Sequence, residues 1–444
     1  MNYYSTGDRT LRRSLRDAVL GGLAPDGGLY MPEHLPELST KQLASFGNKS
    51  FLQISREIAV SLFRRDLPES EILSITDSAI TFDTPLEEVE NGVYSLELFH
   101  GPTLAFKDVG ARFMARMLGY FTRGLGREIN VLVATSGDTG SAVASGFWNV
   151  EGVRVFILYP SGGVSPLQEQ QLTTMGGNIT ALEIAGTFDD CQQMVKMAFR
   201  DSVLNEKMIL TSANSINLAR LLPQSFYYFN AWARLGGEEE FYVSVPSGNF
   251  GNLTAGLIAG RMGLPVKHYI VATNVNDVVP EYLETGVFRP RPSIPTIANA
   301  MDVGNPSNFA RILDLYNHSH SAIMEAISAY AYTDDQLRET IGDVYQRTGY
   351  LLDPHGAAGY QALKQHTPKQ KGVPGVFLET AHPGKFSRTV EEAIKSTVEI
   401  PSKLRQASAR QKVSIPLTTD FSEFREFLLV LCFLRKTPAS FHLP

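Results

Sequence analysis

Between residues 110 and 260 the chain repeats one pattern: an apolar run, a glycine-containing loop, then a segment of helical period. INVLVA (129–134) leads into TSGDTGSAVASGF, and VRVFILYP (153–160) is followed by ITALEIAGTFDDCQQMVKMAF. MILTSANSINLARLLPQSFYYFNAW and FYVSVPSGNFGNLTAGLIAG continue the same grammar. Strands apolar on both faces must be covered on both sides, and alternation with helices is how a buried parallel sheet achieves that. The expectation is an α/β fold. Helix faces can be read within it: ARFMARMLGYF puts Phe113, Met117 and Phe121 on one side. In the helical part of ITALEIAGTFDDCQQMVKMAF, Cys191, Met194/Val195 and Ala198/Phe199 form a buried stripe, so Cys191 reads as core.

The flanks differ. Residues 1–90 read as a mostly helical lead-in, with Leu15, Ala18 and Val19 in helical period before GGLAPDGGLYMPE breaks it. Asp83-Thr84-Pro85 marks a linker. VFRPRPSIPTIANAMDVGNPSNF, within residues 280–310, is too rich in Pro, Asn and Ser for a regular helix and reads as a long ordered loop near the site or between layers. The tail, residues 401–444, is weakly patterned, but EFLLVLCFLRK is apolar enough to need a cover from this chain or a neighbour.

Lys107 stands behind Leu104-Ala105-Phe106, after a short strand (Leu96, Leu98) and a turn through His100, Gly101 and Pro102. A lysine at such a boundary is partly desolvated; that lowers its pKa and leaves a nucleophilic amine, as chemistry with a carbonyl cofactor requires. Alone, the pattern also fits a surface lysine snorkelling from an amphipathic segment. Three loops downstream bear on the choice. PSGNFGN (Pro246 to Asn252) runs from a strand into a helix, which presents backbone N–H groups as an anion site. TSGDTG (Thr135 to Gly140) has the same placement, although the charge of Asp138 would repel an anion; it either accepts from loop amides and a cofactor hydroxyl or is a capping residue. LETAHPGK (Leu378 to Lys385) puts Thr380 at a strand end. Ligands of open α/β sheets bind outside strand carboxyl ends, so the three loops together carry more than any one of them. His100 and His355 read as turn residues that hydrogen-bond locally.

Several function classes are excluded or disfavoured. A net charge of −6 without a Lys/Arg block argues against nucleic acid. Two cysteines, Cys191 and Cys432, lack metal-ligand spacing and fit a reducing, cytoplasmic setting. The N-terminus has no apolar signal segment, and the apolar run Phe427 to Leu434 is too short to span a membrane. No HExxH or G-x-S-x-G pattern suggests a metalloprotease or an α/β-hydrolase, and no metal is expected.

HGPTLAFKD, ATSGDTGSAVA, SPLQEQQ, GGNI, SANSIN, SVPSGNFGNLTAG, ATNVND, NAMDVGNPSN and ETAHPGKF occur in that order. Together they resemble the threonine synthase family in its long bacterial and yeast-type form, of pyridoxal-phosphate fold type II (tryptophan synthase β-like). The resemblance runs from GLAPDGGLYMPE to about Pro401 and is poor over the last forty or so residues. It implies two parallel or mixed-sheet domains beside a mostly helical N-terminal region (1–90). The large cofactor-binding domain would take 91–110 and 235–400, the small substrate-side domain 111–234, and the tail 401–444.

Carried over by position, Lys107 resembles the Schiff-base lysine of pyridoxal 5'-phosphate. Ser247, Gly248, Asn249, Phe250, Gly251 and Asn252 resemble its phosphate loop, and Thr380 the partner of its ring nitrogen. Thr135, Ser136, Gly137, Asp138 and Thr139 correspond to the loop facing the substrate's amino-acid end and, through Asp138, the cofactor. Gln168, Asn214, Ser215, Asn217 and Arg220 are the expected substrate-phosphate pocket, Arg220 because a guanidinium binds phosphate in bidentate fashion. One departure is Gly163 in YPSGGVSP, where relatives commonly carry a cation.

The implied reaction converts O-phospho-L-homoserine and water into L-threonine and phosphate by β,γ-elimination and β-replacement. The expected assembly is a monomer or homodimer. Two alternatives stand beside this reading: a phospho-lyase on the same scaffold that releases a 2-oxoacid, and a non-catalytic phosphate-binding module.

Overall fold

The computed structural model describes residues 1–367, 372–408 and 411–434, so the end of the tail and the side chain of Cys432 lie outside the described residues. Two large sheets organise the chain. A six-stranded sheet has the order Ile327–Ala331, Val266–Thr273, Phe241–Pro246, Gly375–Glu379, Val93–Glu97, Leu86–Glu90, parallel throughout except for the last, antiparallel edge strand. A five-stranded, all-parallel sheet has the order Ile415–Leu417, Ile179–Ile184, Val153–Pro160, Ile129–Ala134, Ile209–Ser212. Every residue of Ile129–Ala134 and Phe241–Pro246 is buried. That is the environment their unbroken apolar runs require.

The helix Lys107–Thr122 carries the chain from the first sheet towards the second and buries Phe113, Met117 and Phe121 on one face. One continuous core joins this helix, the N-terminal helices and facing residues of both sheets. Cys191, Met194, Val195 and Ala198 form the buried stripe on the outer side of the five-stranded sheet.

Two features depart from the sequence reading, and a third decides between alternatives it left open. The N-terminal region is not only helical: Arg12–Arg13, Tyr3–Ser5 and Tyr30–Pro32 make a three-stranded antiparallel sheet. Short strands of two or three residues leave too little periodicity to read. The segment expected to be irregular from residue 280 begins with a helix, Val278–Thr285, which Gly286 stops in the left-handed conformation. The prolines that preclude a helix start only at Pro290. The tail is covered by this chain itself: Ile415–Leu417 extends the five-stranded sheet, and Phe424 and Leu428 are buried beside Cys191 and Phe156. No helix among the described residues is long and apolar enough to cross a membrane.

Candidate active site

The carboxyl ends of strands from both sheets face a cavity of about 810 Å³. Lys107 stands on its wall because the turn before it is stitched to the end of the strand Gly375–Glu379. Leu98 N–H donates to the Glu379 carbonyl, Phe106 N–H to the Thr380 carbonyl, and His382 N–H to the Leu104 carbonyl. Leu104 takes a left-handed φ of 58° to make this turn, and the buried Asp108 carboxylate accepts from the Thr103 N–H and hydroxyl. Lys107 and Thr380, far apart in sequence, are thereby brought to one wall.

Only 16% of the Lys107 side chain is exposed. Burial, reinforced by the cations of Lys385 and Arg220 and opposed by Asp138 and Asp353, lowers its pKa from 10.5 to about 8. A minor fraction, about a tenth at pH 7, is then neutral amine, far more than the snorkelling alternative with its ordinary pKa would give.

The loop from Ser247 opens the helix Gly251–Arg261, with Phe250 at φ 59° as its N-cap. The backbone N–H groups of Gly248, Asn249, Phe250, Gly251 and Asn252 donate to no acceptor among the described residues. Converging free amides at a helix N-terminus are a phosphate cradle. The long loop expected near the site braces it from outside. Asn249 Oδ1 accepts from Ser307 N–H at 2.6 Å, and the Asn249 carbonyl accepts from Asn308 Nδ2 at 3.0 Å. A Cβ on Gly248 would stand 2.4 Å from the Ala300 carbonyl oxygen, so only glycine allows this contact.

Asn252 Oδ1 accepts from the hydroxyls of Tyr227 and Tyr228, both at 2.7 Å, while its buried Nδ2 has no acceptor among the described residues. The Thr380 hydroxyl, on the same cavity, likewise has no hydrogen-bond partner among them. Free amides, an orphaned amide nitrogen, a strand-end hydroxyl and a low-pKa lysine on one cavity fit a phosphorylated aromatic aldehyde.

The second loop is different. Thr135 Oγ1 accepts from Gly137 N–H at 3.0 Å and Gly140 N–H at 2.8 Å, so the loop closes partly on itself. Asp138, which heads the helix Asp138–Phe147, is met by a partner that sequence reasoning left without a role. Lys385 Nζ lies 2.5 Å from Asp138 Oδ1, and Gln168 Nε2 donates to the same oxygen at 3.1 Å. Burial pushes the Asp138 pKa up, but Lys385 and Lys107 outweigh it and hold the carboxyl well below its usual range. The repulsion expected between Asp138 and an anionic guest is therefore largely cancelled within the protein.

The expected substrate-phosphate set divides. Asn214, Ser215 and Arg220 line the cavity together with Thr135, Ser136 and Thr139. Gly137 and Gln168 lie behind that wall, packed so closely that a Cβ on Gly137 would strike the Gln168 amide. Asn217 is a correction. Its Nδ2 donates to the Val19 and Ser212 carbonyls and its Oδ1 accepts from Ala219 N–H, so it caps the helix Leu218–Leu221 away from the cavity. Its amide is fully used there.

Arg220 is buried. One of its nitrogens donates to the Ala213 carbonyl, its Nε has no partner among the described residues, and burial lowers its pKa to about 10. Gly163 is absent from the cavity wall, and a Cβ there would meet Pro160 at 2.5 Å. His100 is a local hydrogen-bonder as expected, pairing with Glu97 at 2.7 Å. His355 pairs with Asp353 at 2.6 Å but also lines the cavity and accepts from the distant Ala300 N–H at 3.2 Å, so it is more than a turn residue.

Family models match most of the chain. The model for pyridoxal-phosphate-dependent enzymes covers residues 79–377, that for the threonine synthase N terminus 2–80, and that for the threonine synthase C-terminal region 356–428. Threonine synthase of Haemophilus influenzae is 42% identical over 431 residues, 97% of this chain and 100% of that protein. The chain belongs to the threonine synthase family.

The crystal structure of Escherichia coli threonine synthase superposes with a TM-score of 0.90 at 41% identity, covering 97% of this chain and 100% of that one. The PLP-bound threonine synthase of Brucella melitensis superposes with a TM-score of 0.89 at 35% identity, covering 96% and 98%. As a member of the threonine synthases, the chain is a pyridoxal-phosphate-dependent enzyme of fold type II, as its motifs implied. The threonine synthase match to residue 428 corrects the expectation that the resemblance fades near Pro401.

Sequence reasoning missed two contributors to the site. Lys385 is the last residue of a loop already singled out for Thr380, and its burial was invisible without the partner. The N-terminal APDGGL turn also lines the cavity through Asp26, Gly27, Gly28 and Leu29. Its glycine pair was read as a helix breaker and as the start of the resemblance, not as part of the site.

Proposed function

We propose that this chain converts O-phospho-L-homoserine and water into L-threonine and inorganic phosphate. The observation that carries the proposal is the meeting, on one cavity, of a low-pKa lysine and a row of free amides in a threonine synthase fold. Pyridoxal 5'-phosphate, once bound, offers a conjugated ring over which negative charge developing at the substrate's α-carbon is spread. The chain's own residues do the rest. The amides of Gly248 through Asn252 would hold the cofactor phosphate, and the Thr380 hydroxyl would serve the ring nitrogen as a neutral partner. Lys107 would anchor the aldehyde and, as a free amine, would take protons from Cα and Cβ and return them to Cα and Cγ.

Phosphate leaves Cγ, a proton takes its place there, and the hydroxyl of water adds at Cβ, so that atoms balance as L-threonine and phosphate. Ser136 and Thr139 orient the amino-acid end. Arg220, with Asn214 and Ser215 beside it, receives the substrate phosphate, for which a buried guanidinium without a carboxylate partner among the described residues is suited. The domain division that accords with this takes 91–110 and 235–400 as the cofactor-binding unit and 111–234 as the substrate-side unit.

Purified protein supplied with pyridoxal 5'-phosphate and O-phospho-L-homoserine is expected to release phosphate and threonine in equal amounts. Accumulation of 2-oxobutanoate instead would establish the phospho-lyase reading. An Arg220→Ala variant should raise KM for the phosphorylated substrate by about tenfold or more with a smaller change in kcat, as loss of a charged hydrogen bond predicts. An unchanged KM would remove Arg220 from this role.

A further inference from the structure

The Lys385 side chain is fully buried. Its ammonium is held 2.5 Å from Asp138 Oδ1 and 3.1 Å from the Thr103 carbonyl oxygen. The turn that carries it, Pro383–Phe386, follows a strand of the six-stranded sheet, whereas Asp138 heads a helix leaving the five-stranded sheet. The Thr103 carbonyl is also fixed by Gln171 Nε2 at 3.4 Å, so the ammonium is gripped from both sides.

One carboxylate is therefore approached by two lysines, unequally. The contact with Lys385 is a charge-assisted hydrogen bond, while Lys107 Nζ stands 3.9 Å from the other oxygen, beyond hydrogen-bond range. Had Asp138 closed on Lys107 instead, it would hold that side chain as an ammonium with no lone pair to offer.

We propose that Lys385 is a positioning residue that engages the Asp138 carboxylate and so leaves Lys107 available as a neutral amine. The inference rests on Lys107 being the residue that meets the cofactor, and it deepens that reading by giving the second lysine a task. The charged groups facing Lys107 come from four places. These are Asp138, Lys385, Arg220 from the helix Leu218–Leu221, and Asp353 ahead of the helix Pro354–His366. Lys385 and Arg220 act with burial to lower the Lys107 pKa, and the two aspartates act against it. Neutralising Lys385 removes one depressing charge and releases an opposing one, so both changes push Lys107 towards the ammonium form.

The test compares Lys385→Met, Lys385→Gln and Lys385→Arg with the wild type. In cofactor-free protein, the rate at which a small amine-reactive reagent acylates Lys107 is followed against pH by peptide mass spectrometry. In the loaded enzyme, the pH titration of the visible absorption band is recorded. Lys385→Met and Lys385→Gln should move the Lys107 reactive midpoint upward by about one pH unit or more, while Lys385→Arg keeps it in place. Glutamine still donates to Asp138 and Thr103 without a charge, so it decides the matter if the methionine variant does not fold. A folded Lys385→Gln protein with the wild-type midpoint, or an arginine variant displaced as far as the glutamine one, overturns the proposal. The two readings fail separately. Wild-type protein that forms no borohydride-reducible adduct defeats the functional reading, whereas a normal adduct with an unmoved midpoint in Lys385→Gln defeats only this one.

Discussion

The loop after Ile129–Ala134 and the loop after Phe241–Pro246 both lead from a buried parallel strand through glycine into a helix, yet they face inward and outward respectively. The first turns donors on itself, through Thr135, and its acidic residue onto a buried lysine. The second keeps the amides of Gly248 to Asn252 unengaged and is propped from behind by Ser307 and Asn308, which both donate to Asn249. Strand-to-helix placement makes a backbone able to present amides. One or two side chains then decide whether those amides meet the protein or a guest.

The sharpest way to break this contrast is Lys107→Ala, since Lys107 shares the cavity with both loops. Activity should fall by at least about a thousandfold, as expected when a proton-transferring group is lost. Borohydride should no longer trap the cofactor, while the second loop still binds it without a covalent link. If cofactor binding vanishes altogether, as read by fluorescence titration, the amide cradle is insufficient and the contrast fails.

Asp138→Asn in the first loop should strike the fold. It leaves Lys385 buried without its carboxylate, and breaking such a pair costs about 3–5 kcal/mol, measurable by denaturant unfolding. The pH dependence carries the same signature. Because the folded-state pKa of Asp138 is depressed, its contribution is present above the unfolded carboxylate value of about 4 and is lost as pH falls through the lower folded value. The asparagine variant should lack that part of the acid slope.

Gly248→Ala in the second loop should act on the cofactor instead. Its Cβ would press on the Ala300 carbonyl and the Met301 Cα, and overpacking of that kind costs about 1–3 kcal/mol. The cofactor should dissociate more easily, by about tenfold for each 1.4 kcal/mol. Equal losses of stability in the two variants, without a difference in cofactor affinity, would erase the distinction between the loops. The smallest effect is expected from Thr135→Val, which removes the acceptor for Gly137 and Gly140 and should cost about 1 kcal/mol, with Thr135→Ser restoring it.

Legibility followed the range of the interaction. The strands at 129–134 and 153–160 and the stripe through Cys191 could be read from periodicity because each is a local pattern repeated over several residues. Lys107, Thr380 and the 247–252 loop were readable because strand-end loops carry ligands and because their motifs resemble a family. Asn217 misled because its neighbours Asn214 and Ser215 do reach the cavity, while one turn further on the chain has become a helix that needs a cap. The three-stranded N-terminal sheet was invisible because its short strands pair across gaps that no local window spans.

The alternation of strands and helices between residues 110 and 260, the absence of a metal-ligand pattern, the lysine behind an apolar run and the amide-rich loops are written in neighbouring residues, and the sequence by itself determined them. Which lysine holds Asp138, how far Lys107 is dried, and whether the tail covers this chain or another were decided only by tertiary structure. Charge and burial act through space, and the groups that set them, Asp138, Arg220, Asp353 and Lys385, lie along more than two hundred residues of chain.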